Sequence, residues 1–68
     1  MPSLDILTAR ETEIVKLIVD GLTDDEISGK LRISKHTVST HRKKILSKME
    51  LPNTASLVRV AVQNGLDK

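Results

Sequence analysis

The 68-residue chain contains no cysteine and no phenylalanine, tyrosine or tryptophan. Without cysteine there is neither a disulfide framework nor a thiolate metal site, which fits a reducing cytoplasm. Without aromatic rings the core has to come from Leu, Ile, Val, Met and Ala, and no platform exists on which unpaired bases could stack; this argues against a single-stranded nucleic acid as ligand. No apolar run is long enough to span a bilayer and no signal-peptide pattern precedes the periodic part, so no membrane partner is expected. A chain of this length folds as one domain and buries only roughly 60% of the surface its unfolded form exposes, so a partner or second copy would add useful stability.

What the chain does have is charge, unevenly placed. The net charge of +2 conceals four basic and seven acidic side chains over residues 1–33, five and one over 34–50, and two and one over 51–68. A local positive segment on a nearly neutral domain suits phosphate binding, whereas uniform basicity is more often the mark of a disordered arm.

The basic segment reads SKHTVSTHRKKILSKME, from Ser34 to Glu50. At about 100° per residue, Val38, Ile45 and Met49 form one stripe with His41 beside them, and His36, Thr40, Lys43 and Ser47 fall opposite. One face packs and the other is offered outward. Ser34 is a preferred N-cap and starts the helix. Arg42 lies near the core stripe, so its stem is expected to pack and its head to meet an acid or a phosphate.

The remaining chain frames this helix. Residues 1–7 read as an extended lead-in, with Leu4 and Leu7 covering an edge of the core; the domain proper is expected over 8–66. Thr8 with Glu11 forms a capping box, Ile14, Leu17, Ile18 and Leu22 keep the spacing of a buried stripe, and Gly21 is placed to close the first helix. Thr23 with Glu26 repeats the box, and Asp24 and Asp25 put negative charge at the dipole's positive end. Ile27 and Leu31 point inward. Two helices separated by about three residues make a helix-turn-helix, with the basic helix as its reader. Leu51, Pro52 and Asn53 break the pattern. Asn53 or Thr54 caps a fourth helix, closed by Gly65 with Leu66 packing back; its core stripe is Leu57, Val58 and Ala61, and Val60, Val62 and Ala55 make the apolar arc wider than one core contact requires. The fold class is therefore all-α, a four-helix bundle containing a helix-turn-helix.

These residues resemble a known family. LT-x-RE at Leu7 to Glu11, DGLT at Asp20 to Thr23, EI at Glu26 and Ile27, I-S-x-x-T-V-x-x-H at Ile33 to His41, and KM at Lys48 and Met49 are together similar to the DNA-binding output domain of LuxR-type (NarL/FixJ-like) regulators, over Leu7 to Leu66. The resemblance implies a third helix in the major groove and a fourth helix used for dimerisation. It also implies that Thr37 and Lys48 contact phosphates, that Ser39, Thr40 and Lys43 face the groove, and that His41 packs beneath the helix. One departure stands out: where the family often carries Asn and Lys after the turn, this chain has Asp24 and Asp25, which repel phosphate.

The resulting expectation is a transcription regulator that binds double-stranded DNA as a homodimer, either an output domain of a two-component response regulator or a stand-alone protein, with the lead-in favouring an excised domain. Lys35, Thr37, Lys44 and Lys48, with the caps Ser34 and Thr23, would fix the domain on phosphates, and His36, Ser39, Thr40 and Lys43 would face base edges. Ala55, Val58, Arg59, Val60 and Val62 would supply the dimer contact, and RNA polymerase is a further candidate partner.

Plainer readings compete with each assignment. Lysines at helical spacing are usually a solvated face, and a wide apolar arc can be a well-buried last helix. His36 and His41 point in different directions and lack further ligands, so no metal is expected. Ser34, Ser39 and Ser47 lack an orienting group and an oxyanion site, so neither an enzyme nor a cofactor is expected. A sigma-factor-like promoter reader and a helix-turn-helix used for protein interaction remain the alternatives.

Overall fold

Each helix starts where a side chain can satisfy the free amides of a first turn. In the computed structural model, which describes residues 4–65 (the side chain of Leu4 excepted), these are α1 (Ala9–Val19), α2 (Asp24–Leu31), α3 (Lys35–Met49) and α4 (Thr54–Gln63), with no strand among the described residues. Both capping boxes are closed. The Glu11 amide donates to Thr8 Oγ1 at 3.1 Å while Glu11 Oε1 accepts from the Thr8 amide at 2.9 Å. Thr23 and Glu26 repeat the exchange at 3.2 and 2.9 Å. Ser34 Oγ accepts from the Thr37 amide at 3.0 Å, and Asn53, rather than Thr54, caps α4 by accepting from the Ser56 amide at 2.9 Å.

The helix ends share one device. Gly21, Arg32 and Glu50 adopt positive φ of 91°, 58° and 55°. The apolar residue that follows each one turns its amide back to the carbonyl five positions earlier: Leu22 to Leu17 at 3.1 Å, Ile33 to Ser28 at 3.1 Å, Leu51 to Leu46 at 2.9 Å. These closures satisfy carbonyls left over at the helix end, and they press Leu22, Ile33 and Leu51 against the core. Only Gly21 announces itself in the sequence, because the other two positions accept a side chain in a conformation that glycine adopts more readily.

The lead-in departs from expectation. Leu4–Ile6 forms a short 3-10 turn against α3 rather than running extended. Leu7 does pack on the core. The expected packing of Leu4 and Leu66 lies outside the described residues and side chains.

One core joins all four helices: Ile14, Val15, Leu17 and Ile18 from α1, Ile27 from α2, Val38, Ile45 and Met49 from α3, Leu57 and Ala61 from α4. Leu31 is half-buried at its edge. α1 packs on both α3 and α4, and α2 packs chiefly on α3. Residues 32–34 alone connect α2 to α3, so the pair cannot fold back into an antiparallel hairpin and the outer face of α3 stays uncovered.

Candidate nucleic-acid interface

The cations of α3 sort by the direction in which the helix carries them. On the flank towards α2, the Arg42 guanidinium meets Asp24 Oδ1 at 2.7 Å, both side chains being largely covered, and Lys35 Nζ lies 3.8 Å from Asp25 Oδ1 with both side chains well exposed. On the flank towards α1, Lys48 Nζ reaches Glu11 Oε1 at 2.7 Å. Lys43 and Lys44 are exposed and have no carboxylate within ion-pair distance among the described residues. They share the outer side of α3 with His36, Thr40 and Ser47, all exposed, and half-buried Ser39 borders them. The result is a strip of two unneutralised ammonium groups among short hydroxyls and one imidazole. Such a strip can donate to phosphate oxygens and to the acceptors of base edges.

The residues expected to hold phosphates lie around this strip. Ser34 and Thr37 share a hydroxyl–hydroxyl hydrogen bond of 2.8 Å at the N-terminus of α3. Thr23, exposed, accepts from the Glu26 amide in its capping box. Lys35 and Lys48 are exposed but already face carboxylates, so contact with DNA would require each to exchange or share its partner. Arg42 sits as its position near the core stripe suggests, stem covered and head on an acid. His41 is half-buried off the outer strip, and its Nδ1 has no hydrogen-bond partner among the described residues.

Glu11 was legible in the sequence only as half of a capping box. It is also the one buried charged side chain among the described residues, 4% exposed, and it binds Lys48 across the α1–α3 contact. Burial pushes its carboxyl up, but the hydrogen bond and charge of Lys48 together with the Thr8 amide and hydroxyl outweigh that, and Glu11 titrates below the usual glutamate value. Glu26 is likewise lowered, by the Thr23 amide and then its hydroxyl. A residue 37 positions away leaves no periodic signal, so the pairing of Glu11 with Lys48 could not be read from spacing.

The fourth helix divides its wide apolar arc. Leu57 and Ala61 are fully buried; Val58 and Val60 are half-buried on opposite sides of them. Ala55, Arg59 and Val62 are exposed along one outer stripe beside Val58, and Val62 keeps 44% of its surface open. Val60 packs against the core on the other side, which separates it from the rest of the expected dimer contact.

No group of three or more metal-ligating side chains occurs among the described residues. No described helix is long and apolar enough to cross a membrane.

With this geometry in hand, comparison with known proteins finds a match of residues 5–61 to the model of the bacterial regulatory proteins of the luxR family. Among similar proteins, an uncharacterized response regulatory protein YgeK of Escherichia coli is 42% identical over 60 residues, which are 88% of this chain and 41% of that protein. The transcriptional regulatory protein MctR of Rhizobium johnstonii is 42% identical over 62 residues, 91% of this chain and 29% of the relative. The response regulator protein VraR of Staphylococcus aureus is 40% identical over 62 residues, again 91% of this chain and 30% of the relative. The chain thus spans less than half the length of these relatives.

Proposed function

Because the chain belongs to the luxR family of bacterial regulatory proteins, we propose that it binds double-stranded DNA sequence-specifically as a pair of copies and regulates transcription. Its place would be that of the output domain of a response regulator or a related LuxR-type regulator, a reading supported by the names of two similar proteins. The observation that carries it is the outer side of α3, where Lys43 and Lys44 have no acid partner among the described residues and stand among hydroxyls on a helix left uncovered by its short turn.

In this reading α3 enters the major groove. Lys43 donates to the O6 and N7 acceptors of a guanine, and His36, Ser39 and Thr40 contact neighbouring base edges. Lys44 binds a phosphate directly; Lys35 and Lys48 do so by exchanging or sharing a carboxylate; Ser34, Thr37 and Thr23 add hydroxyls at two helix N-termini. Asp24 holds Arg42 across the α2–α3 contact and so fixes the angle at which α3 is presented.

Binding to a duplex selected from a random pool, followed over a range of salt, tests this. A pair of domains neutralising about eight phosphates gives a slope of log K against log salt of roughly −7. Lys44→Ala should flatten the slope by about one to two without changing the preferred sequence. Lys43→Ala should lose about 1–3 kcal/mol on the selected duplex and little on unrelated DNA. A slope near zero overturns the proposal and favours a protein-interaction module. Equal losses on both duplexes move Lys43 to the backbone.

A further inference from the structure

The exposed pair of Asp25 with Lys35 carries one step more, which rests on the DNA-binding reading. We propose that Asp25 is an affinity-limiting residue, a fixed negative charge on the DNA-facing margin that weakens binding to duplex of any sequence. Occupancy then depends on base contacts and on a second copy.

Three observations lead there. A helix N-terminus with free amides favours an anion, and the N-terminus of α2 lies beside the N-terminal half of α3, where the backbone of a bound duplex would pass. In this chain that position is filled by Asp24, Asp25 and Glu26. The three carboxylates differ in what they do. Asp24 is held by Arg42 at 2.7 Å, and Glu26 accepts from the Thr23 amide within its capping box. Asp25 shares the favourable field at the start of α2 but is not held in either way: its side chain is 80% exposed, and its contact with Lys35 is long, at 3.8 Å between two exposed groups. A pair of that kind adds little to stability. Its effect is felt instead when a phosphate arrives, because Lys35 has to leave the carboxylate or share it while the carboxylate itself repels the backbone. The accounting of α3 agrees with this. Of its five cations, three face carboxylates, so the strip offered to DNA is much less positive than the segment's composition implies.

The repulsion is Coulombic and independent of sequence. At a separation of about 7 Å, an effective dielectric constant of about 35–80 and little screening at low salt, one charge alters affinity by roughly threefold to tenfold. The test measures fluorescence anisotropy of two labelled duplexes, one selected and one scrambled, with the wild-type chain, Asp25→Asn and Asp25→Glu. Asp25→Asn should bind both duplexes roughly threefold to tenfold more tightly at low salt, with a salt slope steeper by about one per bound domain. Asp25→Glu, which keeps the charge, should stay within about twofold of wild type. Circular dichroism checks the fold, and Asp25→Ser serves as a second neutral variant because serine is also tolerated at a helix N-terminus. If the wild-type chain binds with a steep slope and the neutral variants bind no more tightly, the inference falls and the DNA-binding reading stands. If Asp25→Glu gains as much as Asp25→Asn, charge is not the cause and the inference falls as well. A wild-type slope near zero removes both readings together.

Discussion

Glu11 carries two roles at only 4% exposure: it closes the capping box of α1 and it receives Lys48 from α3. Removing its counter-ion leaves a buried carboxylate facing only Thr8. Losing one partner of a fully buried pair costs about 3–5 kcal/mol, and Lys48 keeps 38% of its side chain in water, so Lys48→Ala should lower stability by about 1–3 kcal/mol in urea unfolding. The same substitution is therefore a poor probe of phosphate contact, and Lys44→Ala is the cleaner one. The pH dependence follows from the depressed titration of Glu11. A carboxyl that ionises more easily folded than unfolded contributes stability fully above the unfolded glutamate value of about 4.3, and that contribution is lost as pH falls through the folded value. Wild type should thus lose stability below about pH 4.3, and Glu11→Gln should show a shallower acid limb together with lower stability at neutral pH. Acid limbs of equal steepness would remove Glu11 from this role.

At the scale of elements, glycines separate backbone need from sequence accident. Gly21 sits at φ 91°, where any side chain is strained, and its turn delivers Leu22 to the core. Gly29 lies inside α2, outside the positive-φ region, and a Cβ added there meets nothing within 4 Å. Opposite signs are expected: Gly21→Ala should destabilise by about 1–2 kcal/mol, whereas Gly29→Ala should stabilise by about 0.5–1 kcal/mol. Thermal unfolding of the two variants checks both. A destabilised Gly29→Ala would mean that α2 needs a bare backbone there.

For the whole molecule, the proposed pairing of copies needs a surface that the core leaves open. A two-fold contact is self-complementary, and on the outer stripe of α4 the core leaves Ala55 and Val62 open on either side of Arg59. Val62→Glu should leave the circular dichroism of the chain unchanged and abolish cooperative occupancy of a duplex with two half-sites one turn apart, because two glutamates would face each other. Val60→Glu should behave differently. Val60 is half-buried against the core, so glutamate there should lower stability by about 1–3 kcal/mol whether or not a partner is present. Normal cooperativity in Val62→Glu would move the contact off this stripe.

Local chemistry was enough to place the helices. Thr8, Thr23, Ser34 and Asn53 each bond an amide three residues on, and the apolar positions repeat at the helical period, so starts, inward faces and the short turn before α3 were all legible in the sequence. The outer strip of α3 was legible for the same reason, since helical periodicity fixes which residues lie opposite Val38, Ile45 and Met49. What the sequence left open depends on contacts between residues far apart along it. Whether Val60 or Val62 stays exposed is decided by where α1 and α3 lie against α4, and Val62 is the one left in water. Which cations of α3 remain unneutralised is decided by Asp24, Asp25 and Glu11, 18, 10 and 37 positions from their partners. The left-handed ends at Arg32 and Glu50 are likewise set by the core, because the gain from burying Ile33 and Leu51 offsets a backbone conformation that neither residue prefers.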